Sequence, residues 1–188
     1  MKSMIASTLT AFCLFCVLLS NSATAGLFVP PLNNDSVKAQ LVRDWERAKI
    51  YTKAYLDAMP EEGVSFKPTP EIRSFAEQML HLSAATFGLL SSGTGKAKVY
   101  EGKNLEKMDE LKTKAALTKV VMESYDYAID AVKGLDADKL GEMVTVGKNN
   151  ISRLTVINKA FEHQTHHRGQ CTIYIRMKGV TPPNEMLF

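Results

Sequence analysis

Four histidines are the residues of this chain best suited to do chemistry, and three of them crowd into five positions, His163-Gln164-Thr165-His166-His167. The fourth, His81, lies far upstream in a stretch that also reads as helix. Imidazoles at His163 and His167, four residues apart on a helix, point the same way and are spaced to grip one metal ion. A third imidazole from another helix would complete a three-nitrogen set with positions open to water or substrate. A divalent ion held by three neutral rings keeps its full charge, and could acidify water, polarise a carbonyl or activate a thiolate.

The elements around these residues decide which of them can meet. At about 100° per residue, Leu154, Ile157, Phe161, Gln164, Cys171 and Ile175 centre one face of the last helix. His167 falls toward one edge of that face and His163 at its border, while His166 lies further round toward solvent. On spacing alone the pair is either a metal grip or two partly buried histidines with ordinary hydrogen bonds. His81 is harder, because on its own helix it points away from the main apolar stripe, beside Glu77, Ala84, Ala85 and Gly88. That small-residue face would admit another helix closely, yet periodicity does not put His81 in the core.

Four long amphipathic patterns run along the chain. The first spans about Ser36 to Met59, with Val37, Leu41, Trp45, Ala48, Tyr55 and Leu56 at helical spacing and Pro60 as its stop. The second is expected to open with Thr69 as N-cap and Pro70 at the first helical position, and to end at Ser91-Ser92-Gly93. Its stripe is Ile72, Phe75, Ala76, Met79, Ser83, Thr86, Phe87 and Leu90. A charged stretch follows, with a short helix expected around Leu105 to Leu111. The third long helix starts near Thr113 and ends at Gly134. Asp136 to Gly147 reads as loop, with a short extended piece at Met143 to Val146. The fourth helix is expected after Asn149-Asn150 and runs to about Lys178, where Gly179 and Pro182-Pro183 forbid continuation. The fold class this predicts is all-α, a four-helix bundle with long helices and irregular connections.

Residues 1–25 read as a secretory signal. Lys2 gives a positive start, Ile5 to Leu19 is apolar, and Ala23-Thr24-Ala25 is a small-x-small cleavage pattern before Gly26. The apolar stretch is short for a membrane span, although an uncleaved anchor is the alternative. The expected product, residues 26–188, is a single exported domain, periplasmic or secreted, without stable membrane association. Cleavage would remove Cys13 and Cys16 and leave Cys171 as the only cysteine, so no internal disulfide is expected. About 160 residues remain, enough to bury a core. The formal charge of +3 is spread along the chain rather than clustered, and nothing in it asks for nucleic acid.

Thr69-Pro70-Glu71-Ile72-Arg73-Ser74-Phe75, then His81, the block from His163 to Gln170 and the closing run from Tyr174 to Pro183 together resemble the DinB-like superfamily. The likeness covers essentially all of the chain after the signal, and its most specific part is the block ending His167-Arg168-Gly169-Gln170. The resemblance implies a four-helix bundle with a metal, zinc or nickel, held by one histidine of the second helix and two of the last. Carried onto this chain, those residues are His81, His163 and His167. The family often has asparagine before the first histidine of the last helix, where this chain has Glu162. The resemblance also implies pairing of bundles through helix faces, and hence a homodimer as one expected state.

Function divides into classes at this point. Gln164 stands where a His-Glu-x-x-His protease would carry its catalytic glutamate, and an amide cannot act as general base. Relatives in the superfamily include thiol-dependent transferases and an isomerase, so the resemblance implies a metal-dependent transferase acting on a small molecule. Export argues the other way, since abundant small thiols are cytosolic, and hydrolysis needs only water. Glu77, Glu162 and Asp126 are candidate proton carriers by helix position. Arg168 is expected to hold a structural carboxylate or else an anionic substrate group, Cys171 to be a core residue rather than a thiolate ligand, and Tyr51, Tyr55, Tyr125 and Tyr127 to be packing. Gly169 suggests a close backbone contact or a tolerated weak spot. The alternative to an enzyme is a non-catalytic metal-binding or interaction protein.

Overall fold

The computed structural model describes residues 33–188, so the signal-peptide expectation lies outside the described residues. Four long helices carry the fold: α1, Asn34–Ala58; α2, Phe75–Thr94; α3, Lys114–Gly134; and α4, Arg153–Met177. A two-stranded antiparallel hairpin, β1 Met143–Val146 and β2 Asn149–Ser152, precedes α4. The predicted all-α bundle is the observed architecture. None of the described helices is long and apolar enough to cross a membrane.

α1 begins where the Asn33 side chain accepts a hydrogen bond from the Ser36 amide at 2.7 Å. It ends before Pro60, as the sequence requires. Its buried stripe, Leu41, Trp45, Ala48, Thr52, Tyr55 and Leu56, faces the core. Trp45 is fully buried and meets the rings of Tyr125 and Phe161 edge-on.

The start of α2 corrects the reading of Thr69-Pro70. Those two residues form only a single turn, with the Ile72 amide donating to the Thr69 carbonyl, and Ile72 is exposed. The helix opens after Ser74, whose hydroxyl accepts from the Glu77 amide at 3.2 Å. The Ser74 amide in turn donates to the Glu77 carboxylate at 2.8 Å. This reciprocal capping satisfies two amides at once, which Thr69-Pro70 cannot do. The next amides, of Phe75 and Ala76, donate back to the carbonyls of Phe66 and Val64 and anchor the helix start to the preceding loop.

The end of α2 lies beyond Gly93, at Thr94, because Gly95 is the residue in the left-handed conformation, with φ +82°. Gly93 serves packing instead. A Cβ there would lie 3.1 Å from Val156 Cγ1, so its absence lets α2 and α4 approach closely. The expected short helix at Leu105 to Leu111 is two 3₁₀ turns, Leu105–Lys107 and Asp109–Leu111.

α3 starts where expected, with the Thr113 hydroxyl as its cap. The extended piece at Met143 to Val146 is β1, but its partner β2 takes in Ile151 and Ser152, which the sequence places at the start of the last helix. Gly147, at φ +61°, turns the chain so that Val146 pairs with Asn149 and Met143 with Ser152. Ser152 then caps α4 by accepting from the Thr155 amide at 3.2 Å. Its far end closes on Gly179 at φ +75°, with the Val180 amide reaching the Ile175 carbonyl. α2 is the central element, packed along α4 on one side and α3 on the other, while α1 packs chiefly on α3.

Candidate metal centre

The α2–α4 packing brings His81 over the pair on the last helix. One ligand-capable atom from each of His81, His163 and His167 lies within 4.8 Å of the other two. Ring centroids are 4.6 Å apart for His81 and His167, 5.2 Å for His81 and His163, and 4.4 Å for His163 and His167. His167 is buried, His81 and His163 are half-buried, and His166 is exposed, its ring bonded to the Gln170 amide at 3.1 Å. Thus the small-residue side of α2, which periodicity left outside the core, turns His81 toward α4. Gly88, farther along that side, meets no neighbour and is exposed, so no helix crosses there.

A chain of hydrogen bonds orients two of the rings. The Arg73 carbonyl can only accept, so the Tyr174 hydroxyl donates to it, at 2.8 Å. That hydroxyl therefore accepts from Gln78 Nε2, at 3.2 Å, which turns Gln78 Oε1 toward His167 Nδ1 at 2.7 Å. His167 must then carry its proton on Nδ1, leaving Nε2 with a free lone pair. On the other ring, His81 Nδ1 donates to Glu106 Oε1 at 2.7 Å, again freeing Nε2. Glu106 Oε2 accepts from Arg73 Nε at 2.6 Å. Arg73 therefore closes the chain at both ends, by its carbonyl and its guanidinium. His163 differs, because its Nδ1 is buried with no partner among the described residues, so no protein group fixes its tautomer.

Electrostatics favour neutral imidazoles. Burial, then the nearby charges of His163, His81, His166 and Arg73, push His167 down to about 4. Burial and then the charges of His81, His166 and Arg73 also lower His163. Burial opposes the ionisation of Glu106, but its hydrogen bonds with Arg73 and His81 and their charges outweigh it and hold the carboxyl below its usual range. Three imidazoles, two with their ring nitrogens oriented by an amide and a carboxylate, make a donor set that fits a divalent metal ion. Beside it opens a recess of about 600 Å³ lined by Arg73, Gln78, Glu106, His166, His167 and Gln170. A larger one, about 880 Å³, lies between α1 and α3 and holds none of the histidines.

The other sequence candidates lie elsewhere. Glu77 caps α2 and pairs with Lys67, Glu162 is exposed beside Lys159, and Asp126 pairs with Lys49 on the α1–α3 face. None of the three faces the histidines. Gln164 is buried, with Oε1 accepting from the Tyr125 hydroxyl at 2.8 Å and from Arg168 at 3.1 Å. Arg168 pairs with no carboxylate among the described residues, and it does not line the recess by the histidines. Instead it is buried 4.4 Å over the Tyr51 ring, its charge met by an aromatic face and two neutral oxygens. Cys171 is fully buried, and burial pushes its thiol pKa far up. No backbone contact explains Gly169, since a Cβ there would meet nothing within 4 Å.

Gln78 and Glu106 were not identified from the sequence. Gln78 had a signal, being a polar side chain between Phe75 and Leu82 on a buried face of α2. Glu106 had none, since it is one of several charges in an irregular connection.

The family model described as DinB family matches residues 32–186. Among solved structures, a DinB-like protein from Bacillus cereus superposes with a TM-score of 0.68 at 19% identity, covering 78% of this chain and 96% of that one. A DinB-like protein from Bacillus subtilis gives 0.55 at 15% identity, covering 79% and 96%. At such identities the likeness is one of fold. No curated protein matches the chain.

Proposed function

The chain belongs to the DinB family, and from that premise we propose that it is an exported metal-dependent enzyme. In this reading it binds one zinc or nickel ion through His81, His163 and His167 and acts on a small molecule. The observation that carries it is the hydrogen-bond chain from the Arg73 carbonyl through Tyr174 and Gln78 to His167, and from the Arg73 guanidinium through Glu106 to His81. A protein with idle histidines has no need to set the tautomers of two rings from two different elements. The recess beside His167 supports a substrate rather than a closed structural ion.

When bound, the ion supplies a Lewis acid that polarises an oxygen or sulfur ligand of the substrate. The chain's own part is to present the free ring nitrogens and leave one side open to the substrate. Between the two classes considered, hydrolysis and thiol-dependent transfer, export favours hydrolysis. Support for export is the pattern Lys2, Ile5 to Leu19 and Ala23-Thr24-Ala25.

One observation favours a non-catalytic metal-binding protein instead. Glu106, the carboxylate nearest the histidines, already binds Arg73 and His81, so it is not a free general base. Elemental analysis of the purified native protein, beside His163→Ala, tests the metal. The expectation is about one zinc or nickel per chain, lost in the variant. A protein that holds no metal and takes up neither ion would end the proposal. N-terminal sequencing of the same sample, expected to start near Gly26, tests the export.

A further inference from the structure

Arg73 holds Glu106 through Nε alone. Among the described residues its two Nη groups make no hydrogen bond, and its side chain is 40% exposed. It lines both the recess beside His167 and a neighbouring hollow of about 420 Å³ that reaches Lys67 and Lys107. One carboxylate, Glu106, joins Arg73 to the ligand cluster, accepting from Arg73 Nε at 2.6 Å and from His81 Nδ1 at 2.7 Å. A guanidinium with its forked end free offers two parallel N–H donors to a carboxylate.

The charge balance of the recess agrees. The Glu106 carboxylate is offset by Arg73, which leaves Glu71 as the one further carboxylate on the lining. A divalent ion at the histidines would outweigh it and leave the pocket positive. Deepening the reading above, and resting on it, we propose that the substrate is a small molecule bearing a carboxylate. That carboxylate lies across the Nη groups of Arg73 while the reacting group faces the three histidines. Arg73 is then the residue that selects acidic over neutral substrates.

The test uses cobalt(II)-loaded full-length protein and hydroxamate probes read by the visible spectrum of the cobalt. Malonic, succinic and glutaric monohydroxamates carry an acidic tail at three lengths, and butyrohydroxamate serves as the neutral comparison. At one tail length at least, the acidic probe should bind about tenfold tighter than the neutral one, as expected for a charge-assisted pair. In Arg73→Met the ratio should collapse while the neutral probe still binds. In Glu106→Gln, which frees Arg73 from its counter-charge, the ratio should persist or rise. Taking the ratio within each variant cancels any change in cobalt affinity. Equal binding of acidic and neutral probes by the unaltered protein, or a ratio that survives Arg73→Met, overturns the inference and leaves the metal reading standing. Failure to take up cobalt overturns both.

Discussion

At the scale of single residues, the site depends on groups that never touch the ion. Glu106 and Gln78 decide which nitrogen of His81 and His167 is free, and each is tied through Arg73 or Tyr174 to the opposite end of one hydrogen-bond chain. Glu106→Gln removes the charge but keeps the shape, and a neutral amide can present its NH₂ to His81 in the wrong sense. Metal affinity should fall about 10- to 100-fold, the usual cost of losing such a partner, with the far-ultraviolet spectrum unchanged. A competition titration against a chromophoric chelator measures it. The same rings set a pH dependence. Because His167 is held down to about 4, the folded state refuses a proton that the unfolded chain accepts below about 6.5. The sign follows: in chelator, the urea midpoint should fall as pH drops from about 6.5 toward 4, and recover on return. A midpoint independent of pH across that window would show that His167 is not buried as described.

At the scale of elements, the helix cores could be read from periodicity and their ends less well. Thr113 and Gly179 mark helix ends near where they were expected, whereas Asn33 caps a first helix that begins at Asn34, two residues ahead of the expected start at Ser36. Thr69-Pro70 also looked like a helix start, and lost to Ser74 and Glu77, whose reciprocal bonds a one-residue-at-a-time reading undervalues. Likewise the second half of β2, Ile151 and Ser152, reads as the start of the last helix, since a four-residue strand has too few positions to show alternation. Gly169 carries a prediction at this scale. It sits exposed inside α4, and a Cβ there meets nothing within 4 Å. Gly169→Ala should therefore raise stability by about 0.5–1 kcal/mol, seen as a higher urea midpoint, and leave metal affinity as it was. A loss of affinity instead would mean that the flexibility of that turn serves His166 and His167.

For the whole molecule, the bundle was legible but the meeting of His81 with His163 and His167 was not. Periodicity gives the direction of a side chain about its own helix axis, whereas the site depends on which helix lies opposite. That is settled by contacts such as Gly93 against Val156, which no single pattern contains. The same geometry puts the site at the margin of the core, with Tyr174 shared between them. Trp45, Tyr125, Leu117, Val121 and Leu56 are all buried with none of the histidines among them, and the cluster at His81, His163 and His167 is only partly enclosed. Folding of the bundle therefore should not require the ion, in contrast to small zinc domains that unfold when stripped. With a chelator, the helical spectrum should survive and the melting temperature should fall only by the linkage amount. For an ion present at about a thousandfold over its dissociation constant, that is about 4 kcal/mol. For a chain of this size it corresponds to a drop on the order of 10 °C, which shrinks as less metal is supplied. Unfolding on chelation would instead identify a structural ion and favour the non-catalytic reading. Survival of the fold with an exchangeable ion is what an enzyme with an open recess beside its metal requires.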